Sequence, residues 1–150
     1  MSEADRLRRF LFEDAPVRGH WVRLSRSWIE ARAHQPLAPP VRDLLGQSLA
    51  ASVLLSASLK FSGTMTLQFS GGTGPVTMLV VQATDRRTIR GVAHLADDAQ
   101  TAGLAFPALV AGGRMVVSVE QAEGGMAWQG IVPSRRRLDS GPMPVIVSRR

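Results

Sequence analysis

Three sets of residues in this sequence have the types that do chemistry, and spacing decides what each can do. Gly71-Gly72-Thr73-Gly74 has the composition of a phosphate cradle. A phosphate-binding loop of that kind closes on Gly-Lys-Ser/Thr and opens a helix, so that lysine and backbone N–H groups meet the phosphates together. Here Pro75 and a strand-like run follow. The same glycines suit a tight connection between strands, which needs positive φ angles, and that is the reading adopted. His20, His34 and His94 are far apart, with no pair one helical turn apart and no acid-flanked motif, so no metal site is expected. Asp97-Asp98 are adjacent in a loop-like stretch, where their side chains diverge instead of forming an acid/base couple. No serine lies in a Gly-x-Ser-x-Gly elbow, and the absence of cysteine excludes disulfides, thiolate zinc sites and thiol catalysis on this chain. The expectation is a protein that is not an enzyme, with no catalytic and no metal-binding residues.

The formal charge of +6 raises the question of nucleic acid. Residues 134–150 hold five arginines and one acid, a net of +4, while the other 133 residues carry 13 basic and 11 acidic groups. A near-neutral domain with a basic tail is a poor phosphate-binding surface, and the chain has one lysine and no tyrosine for base stacking. Nucleic acid is disfavoured as a partner; the arginine-rich tail is the alternative route to it. The uncharged run at the helix pattern, Leu44 to Leu59, is 16 residues with Gln47 and four serines, too short and too polar for a membrane span. The polar, acidic start Met1-Ser2-Glu3-Ala4-Asp5 lacks the apolar core of a signal peptide. A soluble, cytoplasmic protein is expected.

The elements that must position any site follow from periodicity. Residues 8–25 read as extended chain bent around Pro16. Ser27-Trp28-Ile29-Glu30 reads as a capping box opening a short helix that ends before Pro36. Pro40 suits the first position of the next helix, Val41 to about Lys60, where Val41, Leu44, Leu45, Ser48, Leu49, Ser52, Ser56 and Leu59 share one face. Ala50, Val53, Leu54 and Ala57 make the other faces small or apolar too, as for a helix buried between layers. Strands are expected at 64–69, where Met65, Leu67 and Phe69 alternate with polar residues, and at 76–81, 88–95, 115–119 and 126–132. Gly91 marks a bulge or a close backbone contact. A short helix is expected from Phe106 to Ala111, stopped by Gly112-Gly113. The three tryptophans and five phenylalanines read as core, unless some form a contiguous exposed patch that binds apolar chains. The fold class is α+β, a mostly antiparallel sheet packed on a long buried helix (about 41–60) and shorter helices. Residues 1–133 form one domain and 134–150 a divergent tail rich in arginine, serine and proline.

Arg9-Phe10-Leu11-Phe12-Glu13, Val17-Arg18-Gly19, Leu59-Lys60-Phe61-Ser62-Gly63, Gly74-Pro75, Ile89-Arg90-Gly91-Val92-Ala93 and Trp128-Gln129-Gly130-Ile131-Val132, in this order and spacing, resemble the heat shock protein 33 family. The resemblance runs from about Leu7 to Pro133 and covers the amino-terminal part of that family's large domain. It implies an ATP-independent holdase that binds unfolding client proteins, with Phe10, Phe12, Leu67, Phe69 and Met78 as the client-binding residues. It also implies dimerisation. The family's redox switch is a zinc module built on four cysteines; this sequence has none, so no cofactor is expected on this chain. An inactive remnant is the remaining alternative.

Overall fold

In the computed structural model, residues 4–124 and 126–133 are described; the basic tail expected at 134–150 lies outside them. Strand β1 (Arg6–Leu11) pairs antiparallel with β2 (Arg18–Arg23) as a separate hairpin, the bend at Pro16 lying between them. Helix α1 spans Arg26–Ala33 and α2 spans Pro39–Ser58. Strands β3 (Gly63–Ser70), β4 (Val76–Thr84) and β5 (Ile89–Leu95) follow, then the short α3 (Phe106–Leu109), β6 (Arg114–Gln121) and β7 (Met126–Pro133). The five later strands form one sheet in the order β5-β4-β3-β6-β7, every pairing antiparallel. This is the α+β arrangement expected, with one long helix against a sheet.

Helix α2 forms because its apolar residues recur at three and four positions and Pro39 and Pro40 preset the first turn. Pro40 is thus the second helical residue, since Pro39 takes the first. Val41, Leu44, Leu45, Leu49 and Val53 are buried with Leu67, Leu79 and Val81 of the sheet. Ser52 is also buried, and its hydroxyl donates to the Leu49 carbonyl at 2.8 Å, so its polarity is satisfied inside the helix. Gly91 lets the helix approach: a Cβ there would lie 2.9 Å from Leu45 Cδ1 and Val81 Cγ1. The register of β5 on β4 is regular at Gly91, and the irregularity falls between Val76 and Met78, so the glycine serves close contact and not a bulge.

Several expectations are corrected. Ser27 does not cap α1. The helix begins two residues earlier than that box implies, at Arg26 with Ser25 in the N-cap position, and the capping acceptor is the distant Asp5. Its carboxylate accepts from the Ser25 N–H at 2.6 Å, from the Ser27 N–H at 3.1 Å and from the Ser27 hydroxyl. Glu30 instead pairs with Arg26 one turn back, at 2.9 Å. Helix α3 stops at Leu109, short of Ala111, because Val110 leaves helical geometry and turns into the core. None of the aromatic residues is fully buried, and only Trp28, Phe69 and Phe61 pack against the margin of the core. The fully buried large side chains are non-aromatic, Leu44, Leu45, Leu49, Met65, Leu79 and Leu109, because the buried face of α2 is built mainly from Val and Leu that interdigitate with the sheet. Two exposed rings have a structural task instead: Phe10 lies over Gly19 across the hairpin, and Trp128 over Gly130, covering backbone that glycine leaves bare.

The Asp5 cap yields a pH-dependent prediction. Slight burial raises the Asp5 pKa, but the Ser27 hydroxyl and the N–H groups of Ser25, Ser27 and Arg26 outweigh it and hold the carboxyl below its ordinary value of 3.8. A folded pKa below the unfolded one stabilises fully above about pH 4, and the contribution is lost as pH falls through the lower folded value. Asp5→Ala is expected to cost about 1 kcal/mol at pH 7. Thermal melts from pH 7 to 2.5 should show the gap between wild type and variant constant above about pH 5 and closing in acid.

Candidate functional site

Antiparallel pairing fixes which side chains share a face of the five-stranded sheet. Met65, Leu67 and Phe69 of β3, Leu79, Val81 and Ala83 of β4, and Val117 and Val119 of β6 face α2. Met78, Val80 and Gln82 therefore face the other way, and no helix among the described residues packs on that side. One cross-strand row there runs Val92–Val80–Gln68–Val116–Ile131, each residue directly opposite the next. Its four apolar members are half-buried or exposed, with Ile131 62% accessible. The row crosses five strands, about 19 Å at the usual inter-strand spacing.

The neighbouring row is polar: Arg90–Gln82–Thr66–Ser118–Gln129. Arg90 Nε donates to Gln82 Oε1, and Gln82 Nε2 donates to Thr66 Oγ1 at 2.9 Å. Side chains bonded to one another in this way have their polar groups satisfied and leave the apolar row as the part able to give up water. At the outer edge of β5, the Gln35 amide donates to the Gly91 carbonyl at 2.8 Å and accepts from the Ala93 N–H at 3.0 Å. That closes part of an edge which would otherwise invite another strand.

The five residues expected to bind clients are dispersed. Phe10 and Phe12 stand on the hairpin, 45% and 57% accessible, ring edge to ring face with centroids 5.8 Å apart. Leu67 is 3% accessible and lies in the core under α2, where it offers no surface in this conformation. Phe69 is half-buried on the same side and meets the Phe106 ring at 5.9 Å. Only Met78 is on the uncovered face. Val80, Val92, Val116 and Ile131 were missed as site residues. In β4 the signal was present, because apolar residues at both odd and even positions require partners on both faces.

No three of His, Asp and Glu converge among the described residues, and the sequence has no cysteine. The residues here do not fit the four-thiolate zinc site that the family resemblance brings to mind. Among the described residues no helix is long and apolar enough to cross a membrane.

Fold and face together define a two-layer α+β domain with one sheet surface partly apolar and uncovered among the described residues. The family model described as Hsp33 protein matches residues 5–140, and the chain belongs to that family. It is similar to the 33 kDa chaperonin of Nitrosococcus oceani, 42% identical over 132 residues, and to that of Pseudomonas paraeruginosa, 40% identical over 132 residues. Each match covers 88% of this chain and 44% of the relative, so the chain spans less than half the length of these proteins. The crystal structure of the 33 kDa chaperonin of Thermotoga maritima has the same fold, with a TM-score of 0.66 at 23% identity over 85% of this chain and 44% of that one.

Proposed function

We propose that this chain is an ATP-independent holding chaperone that binds unfolding proteins on the uncovered sheet face. The observation that carries this reading is the row Val92–Val80–Gln68–Val116–Ile131, apolar at four of five positions and without a covering helix among the described residues. The naming of its relatives as chaperonins supports the class of activity. An extended client segment of about six residues is as long as the row. Burial of roughly 300 Å² of apolar surface contributes about 7 kcal/mol before ordering costs, which leaves a weak and reversible hold. That suits a protein that must release what it binds. Arg90 and Arg114 border the apolar row on its two sides and keep the complex in solution. With no cysteine on the chain, holding does not depend on thiol state or zinc.

Fluorescence anisotropy of a labelled, permanently unfolded protein tests the reading. Binding is expected at micromolar concentration, nearly unchanged between 50 mM and about 500 mM salt, because apolar burial is not screened. A steep loss of binding with salt would point instead to arginine-driven attraction, as expected for nucleic-acid-type contacts.

A further inference from the structure

On the opposite side of the molecule, a cavity of about 360 Å³ lies between the β1–β2 hairpin, the last turns of α2 and the β4–β5 turn. It has room for roughly a dozen waters. Its apolar lining comes from Leu7, Val53, Ala57 and Ile89. Its charged lining is Arg9, His20, Asp85 and Arg87, which sums to +1 with histidine neutral. The two hydroxyls in the lining are already engaged: Ser56 Oγ donates to the Val53 carbonyl at 2.9 Å, and Thr84 Oγ1 accepts from the Thr88 N–H at 3.1 Å. Asp85 accepts from Ser62 at 3.3 Å. Among the described residues, the Arg9 and Arg87 guanidinium groups have no ion-pair or hydrogen-bond partner.

Arg87 also occupies a left-handed backbone position, φ 63°, in the β4–β5 turn. Glycine or asparagine is the favoured residue there, so this sequence places a long cation at a position that opposes it. We propose that the cavity binds a small amphipathic carboxylate, with its aliphatic part on Leu7, Val53, Ala57 and Ile89 and its carboxylate on the Arg9 and Arg87 guanidinium groups. A single negative charge matches the net charge of the lining, and Asp85 repels a doubly charged anion. The donors are the two guanidinium groups of the lining, neither of which has a partner among the described residues, and planar guanidinium suits carboxylate geometry.

The test is an amide-resolved NMR titration with sodium octanoate, and with octan-1-ol as its uncharged counterpart. Octanoate is expected to give saturable shifts at residues 7–20 and 83–89, and to bind at least tenfold more tightly than the alcohol. Arg87→Gly relieves the left-handed backbone, so it should melt no lower than wild type while losing about tenfold in octanoate affinity. Arg9→Gln should lose a similar factor, and Arg87→Gly carries the test alone if that variant folds poorly. Equal binding of acid and alcohol, undiminished binding by Arg87→Gly, shifts centred on Val80 and Ile131, or no saturable shift overturns the proposal.

Discussion

Leu45→Ala is expected to remove about 3–5 kcal/mol of stability, near the upper end for a buried leucine. The side chain has no solvent exposure and sits directly over Gly91, which has no side chain to move into the space left behind. A domain of this size is stable by roughly 5–15 kcal/mol, so the variant should unfold at far lower urea. Gly91→Ala alone is expected to cost about 1–3 kcal/mol by overpacking, its new Cβ 2.9 Å from Leu45 Cδ1 and Val81 Cγ1. The two changes compensate, because the added methyl enters the cavity that the first one opens. The double variant should therefore be more stable than the sum of the singles by about 1–2 kcal/mol. Strict additivity in urea melts would show that helix and sheet do not meet at this point.

The second large effect concerns the uncovered sheet face. Replacing Val80, Val116 and Ile131 together by threonine removes apolar surface from three of the four apolar positions in the cross-strand row. Threonine keeps the strand propensity and nearly the shape. At roughly 0.8 kcal/mol for each apolar carbon withdrawn, the affinity for an unfolded client should fall ten- to a hundredfold. The melting temperature should move by only a few degrees, since no buried residue is altered. The same substitution at Leu67, one of the residues first expected to bind clients, should do the reverse: large destabilisation through the core under α2.

How much of this was legible in the sequence depends on how local the determinant is. The long helix could be read from its three/four spacing, and Met65, Leu67 and Phe69 from their alternation, because both patterns are set within a few residues. Alternation cannot say which of two half-apolar faces the helix will cover, so Leu67 and Met78 are both expected to bind clients and yet lie on opposite faces. The cap of α1 was misread for a related reason. Ser27 and Glu30 have the local chemistry of a capping box, but a carboxylate 20 residues upstream of Ser25 reaches the helix start first. Glycines were read correctly as a hairpin connection at 71–75, yet a second role could not be seen. Thr73 and Gly74 N–H groups both donate to the Ala111 carbonyl, at 2.7 and 3.2 Å, tying that loop to the end of α3. The cavity beside Arg9 and Arg87 was invisible because its walls come from four separate stretches of chain.

We propose that this chain by itself holds unfolding proteins through an apolar sheet face, without a thiol switch. Light scattering of a heat-labile client enzyme, warmed with and without the chain in the absence of ATP, tests it most directly. A modest molar excess of the chain is expected to suppress scattering equally in reducing and oxidising buffer. Scattering that rises unchanged in both buffers would contradict it.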